Sequence, residues 1–269
     1  MLSVETALPA PKPLPLAVAI ITLNEEANLA RCLKSVRDLV AEIVMLDSGS
    51  TDNTAQIAAQ YGAVFEFRKW EGYIAQKNAA FRRCSQPWVL CLDADEALTP
   101  ELAGAIRDLF VAGEPPVAGY WVNRRTFYLG RWIWHAWYPE WRLRLVRNRD
   151  ARWCGGRVHE ELTVAGATAR LTGDLLHYPF RNLQEHFLRT IKYAHLSAES
   201  FAGLGKRCRW YHLFLSPWCA FFQRLVLKQG WRDGWRGWLI AGVKMVNVFA
   251  KYAFLLERER VGDGKKEDT

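Results

Sequence analysis

Acidic residues at the ends of apolar runs are the first chemistry this sequence offers. Asp93-Ala-Asp95 directly follows Trp88-Val-Leu-Cys-Leu92. Alternate residues of an extended segment share a face, but a chain need not stay extended past its strand end. The two carboxylates are therefore free to serve different ligands, one a cation and the other a ribose hydroxyl or a water. Mg2+ and Mn2+ prefer oxygen ligands of this kind and commonly bridge to substrate phosphates. A lone Asp-x-Asp is also a common structural feature. Asp47-Ser-Gly-Ser-Thr-Asp52 has turn chemistry, and Asp52 is equally suited to cap the next helix. Lys77-Asn78 offers an ammonium group to a phosphate, or simply a solvated helix face. Arg142, Arg144 and Arg147 read as phosphate contacts or as the charged face of a strand.

These residues need elements to hold them. Leu16 to Thr22, Glu42 to Asp47, Ala63 to Phe67 and Trp88 to Leu92 are short apolar runs that read as strands, the first two buried on both faces. Helices are predicted between them. The first is capped by Asn24 and carries Leu29, Cys32, Leu33 and Val36 at helical spacing; the others span Thr54 to Tyr61 and Ile74 to Cys84. Alternation at this spacing predicts a parallel, doubly wound sheet, which binds ligands beyond the carboxyl ends of its strands. Those ends carry Thr22-Leu-Asn-Glu25, Asp47-Ser-Gly-Ser and Asp93-Ala-Asp95. Ordinary loop polarity explains one such end easily and three much less easily. After a helix from Pro100, Tyr120 to Trp141 holds five tryptophans and no clean period. Arg142 to Arg147 and Ala169 to His177 then read as strands, and helical patterns resume near Leu183.

Taken together, Thr22-Leu-Asn-Glu25, Asp47-Ser-Gly-Ser-Thr-Asp52, Gln76-Lys-Asn78 and Leu92-Asp-Ala-Asp-Glu96, in this order, resemble glycosyltransferase family two. That family comprises inverting enzymes with a Rossmann-like nucleotide-sugar fold. The resemblance covers roughly 16–200 and is closest before Pro100. It implies that Thr22, Asn24, Glu25 and Ser48 line a nucleotide pocket, that Asp47 bonds the base and that Lys77 lies near ribose or diphosphate. It further implies that Asp93 touches the ribose and that Asp95 binds a divalent cation, Mg2+ or Mn2+.

Arg157-Val-His-Glu-Glu161 and Leu176-His-Tyr178 resemble a bacterial branch of the same family that includes lipopolysaccharide core β-glucosyltransferases. This implies a general base at Glu160, with Glu161 as its neighbouring rival, and a His177 that approaches the metal or the diphosphate. The chemistry calls for such a base, because an inverting in-line displacement must remove the acceptor hydroxyl's proton. His159 reads alternatively as a hydrogen-bonded spacer. The tryptophans at 132, 134, 137 and 141 suit a sugar platform, a membrane-facing lip or packing.

The chain of 269 residues carries a formal charge of +8, and Arg181 to Arg260 holds fourteen Lys or Arg against five Asp or Glu. The rest is nearly neutral, so an anionic partner belongs to the C-terminal third. There the basic residues alternate with apolar runs and with Trp210, Trp218, Trp231, Trp235 and Trp238. This mixture suits a helical pair lying on an anionic bilayer surface; the alternative is a hairpin packed on the catalytic domain or a second subunit. No uncharged apolar run reaches the about 18 residues of a spanning helix. Met1 to Leu16, with four prolines, reads as a loose leader and not as a signal peptide. Six cysteines without a CxxC pair suit a reducing compartment. No nucleic-acid motif is present, so nucleic acid is set aside as the anionic partner.

The expected architecture is therefore α/β: a nucleotide-sugar-binding Rossmann-like sheet flanked by helices, with a C-terminal helical membrane-associating region. Residues 1–15 form the leader and 16–200 the catalytic domain, with a donor half at 16–100 and an acceptor half at 101–200. Residues 201–260 form the basic, Trp-rich helical region and 261–269 a tail. The expected activity is transfer of a sugar, glucose foremost, from a UDP-sugar to a hydroxyl of a lipid-linked saccharide such as lipopolysaccharide inner-core heptose. The expected location is peripheral, on the cytoplasmic face of the bacterial inner membrane. The rival reactions are transfer to polyprenyl phosphate, which needs no base, and non-catalytic binding of nucleic acid or membrane.

Overall fold

The computed structural model describes residues 12–111, 113–155 and 160–267, the last seven as backbone only. Among the described residues, eleven strands and eight α-helices follow one another along the chain. In the first half these are β1 (Leu14–Thr22), α1 (Glu26–Val36), β2 (Val40–Asp47), α2 (Thr54–Gln60), β3 (Val64–Phe67), α3 (Tyr73–Arg83), β4 (Trp88–Asp93), β5 (Glu96–Leu98) and α4 (Pro100–Val111). Then come β6 (Gly119–Tyr128), β7 (Arg131–Trp132), β8 (Trp141–Arg147), β9 (Ala151–Gly155), β10 (Glu160–Val164) and β11 (Thr168–His177). The helices α5 (Leu183–Gly203), α6 (Trp210–Phe214), α7 (Ser216–Phe222) and α8 (Trp235–Glu267) complete the chain.

The main sheet runs β3-β2-β1-β4-β8-β6-β11-β5, with β7 paired to β6. Its β3-β2-β1-β4 half is parallel, as the alternation predicts. The other half corrects that prediction: β8 is antiparallel to both β4 and β6, and β5 is antiparallel to β11. The β6–β8 connection makes this possible, because antiparallel neighbours need no crossover helix. Strand β6 escapes a periodicity reading because polar Arg124 and Thr126 share its inward face with Tyr120, Val122 and Tyr128.

The core lies on both faces of the sheet. Leu16, Val18 and Ile20 of β1 pack on one side with Leu29, Cys32, Leu33 and Val36 of α1. Ala17 and Ala19 face the other side, with Ala79 and Ala80 of α3 and with Trp153 and Leu162 of the separate β9–β10 ribbon. A parallel strand covered on both faces must be apolar at consecutive positions, which is why β1 shows no alternation.

A third, smaller core joins the C-terminal helices to the second half of the sheet, through Tyr128, Ile133, Ala136 and Ile240. One side of this region is thus packed on the second half of the sheet. The other side is open: along α6, α7 and the turns that follow, Trp210, Phe214, Leu215, Trp218, Phe222, Val226, Leu227, Trp231, Trp235 and Trp238 are each more than half exposed. Positions 210, 214, 218, 222 and 226 recur every four residues, so they form one stripe along a helical surface. Exposed Lys206, Arg207, Arg209, Lys228 and Arg232 flank it. Trp235–Arg260 of α8 is long and apolar enough to cross a bilayer by length and composition, although a third of it is buried. A search for uncharged runs passes over this segment because Lys244 and Lys251 interrupt it. The helix continues to Glu267, into the stretch expected to be a tail.

Candidate active site

The strand order reverses at β1, which has β2 on one side and β4 on the other. The crevice at such a switch point is where open α/β sheets bind ligands. At the end of β1, Thr22 donates its hydroxyl to Asp47 Oδ1 at 3.0 Å. Asp47 Oδ2 accepts the amides of Gly49 (2.8 Å) and Ser50 (2.7 Å). The Ser50 hydroxyl also bonds Asp47 Oδ1, so the buried carboxylate is fully engaged in shaping its own turn. Gly49 sits at φ +105°, a conformation that L side chains rarely adopt, which explains glycine there.

Asn24 does not cap α1. It has φ +56°, and its Oδ1 accepts the Thr51 amide at 2.8 Å, tying the β1 end to the β2 turn. Glu25 takes the N-cap position, its amide donating to Thr54 Oγ1 at 2.9 Å. Burial raises the Glu25 carboxyl above its ordinary range.

In the Gln76-Lys77-Asn78 segment of α3, three successive side chains each reach a different part of the fold. Gln76 Nε2 donates to Ser48 Oγ (3.2 Å) and to the Arg68 carbonyl (3.1 Å). Asn78 brackets β9, donating to the Trp153 carbonyl and accepting its amide at 2.8 and 2.9 Å. Lys77 is buried, which removes the solvated-face alternative; its Nζ lies 3.0 Å from Asp93 Oδ1 and 3.5 Å from Glu160 Oε1.

Asp93 is also bonded by Arg144 at 2.7 Å. Arg144, read from sequence as a phosphate contact or a charged strand face, is neither. It is 4% exposed and holds Asp93 and Glu96 together. Glu96, almost wholly buried, accepts from Arg144 (2.6 Å), Arg124 (3.2 Å) and the Asp93 amide (3.0 Å). Burial opposes ionisation of Asp93, yet Lys77 and Arg144 hold its carboxyl well below the usual range. Sequence reasoning assigned no role to Glu96 or Arg124. The available signal was charge inside β6 and β8, which a buried strand tolerates only when the charges are paired.

Among the described residues, no Lys or Arg pairs directly with Asp95. Its nearest side-chain partner is His177, with Nε2 3.6 Å from Asp95 Oδ2. Burial, then repulsion from Asp93, Glu96 and Glu25, raise the Asp95 carboxyl to about 7. Burial and the nearby Arg124 push the His177 imidazolium well down, so the ring is neutral. His177 Nδ1 lies 3.2 Å from Thr126 Oγ1. With the proton on Nδ1, the Nε2 lone pair faces Asp95, the tautomer that metal-binding histidines adopt. The described residues hold no cluster of three or more potential metal ligands. A carboxylate and a neutral imidazole fit Mn2+ better than Mg2+, which takes oxygen ligands; either ion completes its shell with water and substrate phosphate.

Of the two candidate bases, Glu160 is partly buried beside Lys77, while Glu161 is exposed. Successive strand residues face opposite ways, so one of the pair necessarily points outward. Arg157, Val158 and His159 lie outside the described residues. The site therefore gathers Thr22, Asn24, Ser48 and Asp47 at one edge and Lys77, Asp93 and Glu160 beside Asp95 and His177 at the other.

Comparison with known proteins bears on this geometry. Residues 17–164 match the family described as Glycosyl transferase family 2. The chain is 36% identical over 258 residues, 91% of its length and 93% of the relative's, to the lipopolysaccharide core biosynthesis glycosyltransferase LpsC of Rhizobium meliloti. It is 28% identical over 220 residues, 76% of its length and 75% of the relative's, to the uncharacterized glycosyltransferase RP128 of Rickettsia prowazekii. Among solved structures, the mannosyltransferase PcManGT from Pyrobaculum calidifontis, in complex with GDP-Man and Mn2+, aligns over 93% of this chain and 90% of its own with a TM-score of 0.50 and 14% identity. That likeness is one of fold. The protein is a glycosyltransferase, and it belongs to glycosyltransferase family 2.

Proposed function

We propose that this transferase is inverting and metal-dependent, and that it moves a hexose, glucose foremost, from a UDP-sugar to a hydroxyl of a membrane glycolipid such as lipopolysaccharide inner-core heptose. The observation that carries this reading is the position of Glu160. Its carboxylate, delivered by the β9–β10 ribbon, stands 3.5 Å from the lysine that also pairs with Asp93. A carboxylate beside the donor site is what a hydroxyl acceptor needs as general base. Polyprenyl phosphate arrives already anionic and would leave Glu160 without a task. The kinship to LpsC, named for lipopolysaccharide core biosynthesis, supports the acceptor class.

In this reading Thr22, Asn24, Glu25 and Ser48 border the nucleotide. Asp47 acts by holding the Ser48–Thr51 turn against β1, and any bond it makes to the base displaces one of its present partners. Asp93, fixed by Lys77 and Arg144, presents a rigid edge toward the ribose. Asp95 and His177 would hold the cation, which when bound offsets negative charge on the departing diphosphate. Glu160 receives the acceptor proton at Oε1 or Oε2, oriented by Lys77. Glu161, on the opposite strand face, takes no part.

The apolar stripe of α6 and α7, with its flanking Lys and Arg, supports peripheral attachment to an anionic membrane. The cytoplasmic face of the inner membrane is the corresponding location, since UDP-sugars are its donors. The test is thermal stabilisation by UDP-, GDP- and dTDP-sugars with and without Mn2+, followed by transfer to deacylated lipopolysaccharide core. A folded state that binds donor is stabilised by it. A Mn2+-dependent rise with UDP-glucose is expected, and no rise with any sugar nucleotide would overturn the donor assignment.

A further inference from the structure

We propose that Trp132 and Trp134 form a preorganised ledge that binds a saccharide ring of the acceptor; this rests on the transferase reading above. Trp134 is 48% exposed, yet it is fixed from three directions. The Arg125 guanidinium lies 4.4 Å from its ring centroid and 5.1 Å from that of Trp132. Tyr138 meets Trp134 edge-on at 5.5 Å. Asp174 anchors both supports, pairing with Arg125 at 3.3 Å and accepting the Tyr138 hydroxyl at 3.2 Å. The backbone is fixed as well. Asp233, from the turn before α8, accepts the amides of Trp134, His135 and Ala136 at 3.0, 3.1 and 2.8 Å.

An exposed indole needs no such scaffold for solubility or packing. Ordering it in advance lowers the entropic cost of binding a partner. The ledge is also continuous with the reaction centre. Trp132 packs on Tyr178 at 5.5 Å, and the Tyr178 amide donates to the Asp95 carbonyl at 2.9 Å. Of the tryptophans in this region, Trp137 instead packs against the small core with Tyr128, and Trp141 lies 4.5 Å beneath the Arg170 guanidinium. The ligand chemistry follows from the surface: an apolar ring face to cover, with Arg125 alongside to meet hydroxyl or phosphate oxygens. A guanidinium stacked on the indole disfavours its burial among acyl chains, so a saccharide fits better than a bilayer.

The probe is core oligosaccharide freed of acyl chains, titrated calorimetrically into the full chain held with UDP and Mn2+. Trp134→Ala should weaken binding by about ten-fold or more, Trp134→Phe should keep most of it, and UDP affinity should not change. Asp233→Ala should weaken binding less, by letting the loop move. Equal affinity in wild type and Trp134→Ala would overturn the ledge, as would no binding by the wild type. Loss of binding to anionic vesicles in Trp134→Ala with oligosaccharide affinity intact would assign the indole to the membrane and also overturn it. A wild type that binds the oligosaccharide through Trp134 but transfers no sugar would uphold the ledge and sink the proposed reaction.

Discussion

The two ends of this molecule break the usual burial rule in opposite directions. At the switch point of the sheet, Lys77, Arg144, Asp47 and Glu96 are all buried. Along α6, α7 and the start of α8, large apolar side chains stand in solvent. Charges are rarely buried unless paired, and contiguous exposed apolar patches mark interaction surfaces. The difference lies in how each departure is balanced. The buried charges are balanced inside the chain, Asp47 by hydroxyls and backbone amides and Lys77, Arg144 and Glu96 by ion pairs, with Asp95 left over among the described residues. The exposed tryptophans keep more than half of their surface in solvent, and they point to a partner outside the chain.

The largest expected effect belongs to the proposed base. Glu160→Gln should lower transfer about a hundred- to ten-thousand-fold while keeping stabilisation by UDP-glucose, and Glu161→Gln should stay near wild type. A reversal of that ranking, measured as initial rates on one acceptor, would move the base to Glu161. Next in size is the buried network. Arg144→Met leaves Asp93 and Glu96 without their shared cation and should cost about 3–5 kcal/mol in denaturant unfolding. Arg142→Met removes a half-exposed pair with Glu140 and should cost at most about 1 kcal/mol. Equal costs would mean that burial does not distinguish the two arginines.

A pH series sharpens the role of Asp95. Its folded carboxyl titrates near 7, above its ordinary 3.8. Between those values the folded state binds the extra proton, so stability falls as pH rises from about 4 to about 7. A cation bound there relieves the repulsion, and thermal stabilisation by Mn2+ with UDP should therefore grow from pH 6 to pH 8. Asp95→Asn should flatten that dependence; an unchanged profile in the variant would place the cation elsewhere. The smallest effect on the fold belongs to the other region. Trp218→Ser with Phe222→Ser should change unfolding stability by about 0.5 kcal/mol per site or less. Flotation with anionic vesicles should nevertheless drop clearly. A large loss of stability would instead show the stripe to be part of the protein's own packing.

Local pattern made much of this legible. Leu29, Cys32, Leu33 and Val36 recur at helical spacing and are the four buried residues of α1. The apolar runs ending at Thr22, Asp47 and Asp93 are strands, and the family resemblance carried by their end residues holds. Steric period and strand-end polarity are properties of neighbouring residues, so the sequence by itself determined the parallel half of the sheet and the order of its motifs. It could not decide which charge meets which. Lys77 finds Asp93 and Glu160, and Arg144 finds Asp93 and Glu96, across sequence separations that no local period reports. Only the tertiary structure made Asp93 a neutralised anchor and left Asp95 free, turned Glu160 inward and Glu161 out, and aimed the stripe of α6 and α7 away from the core. A periodicity states that side chains share a face; what that face meets depends on where the whole chain sets it down.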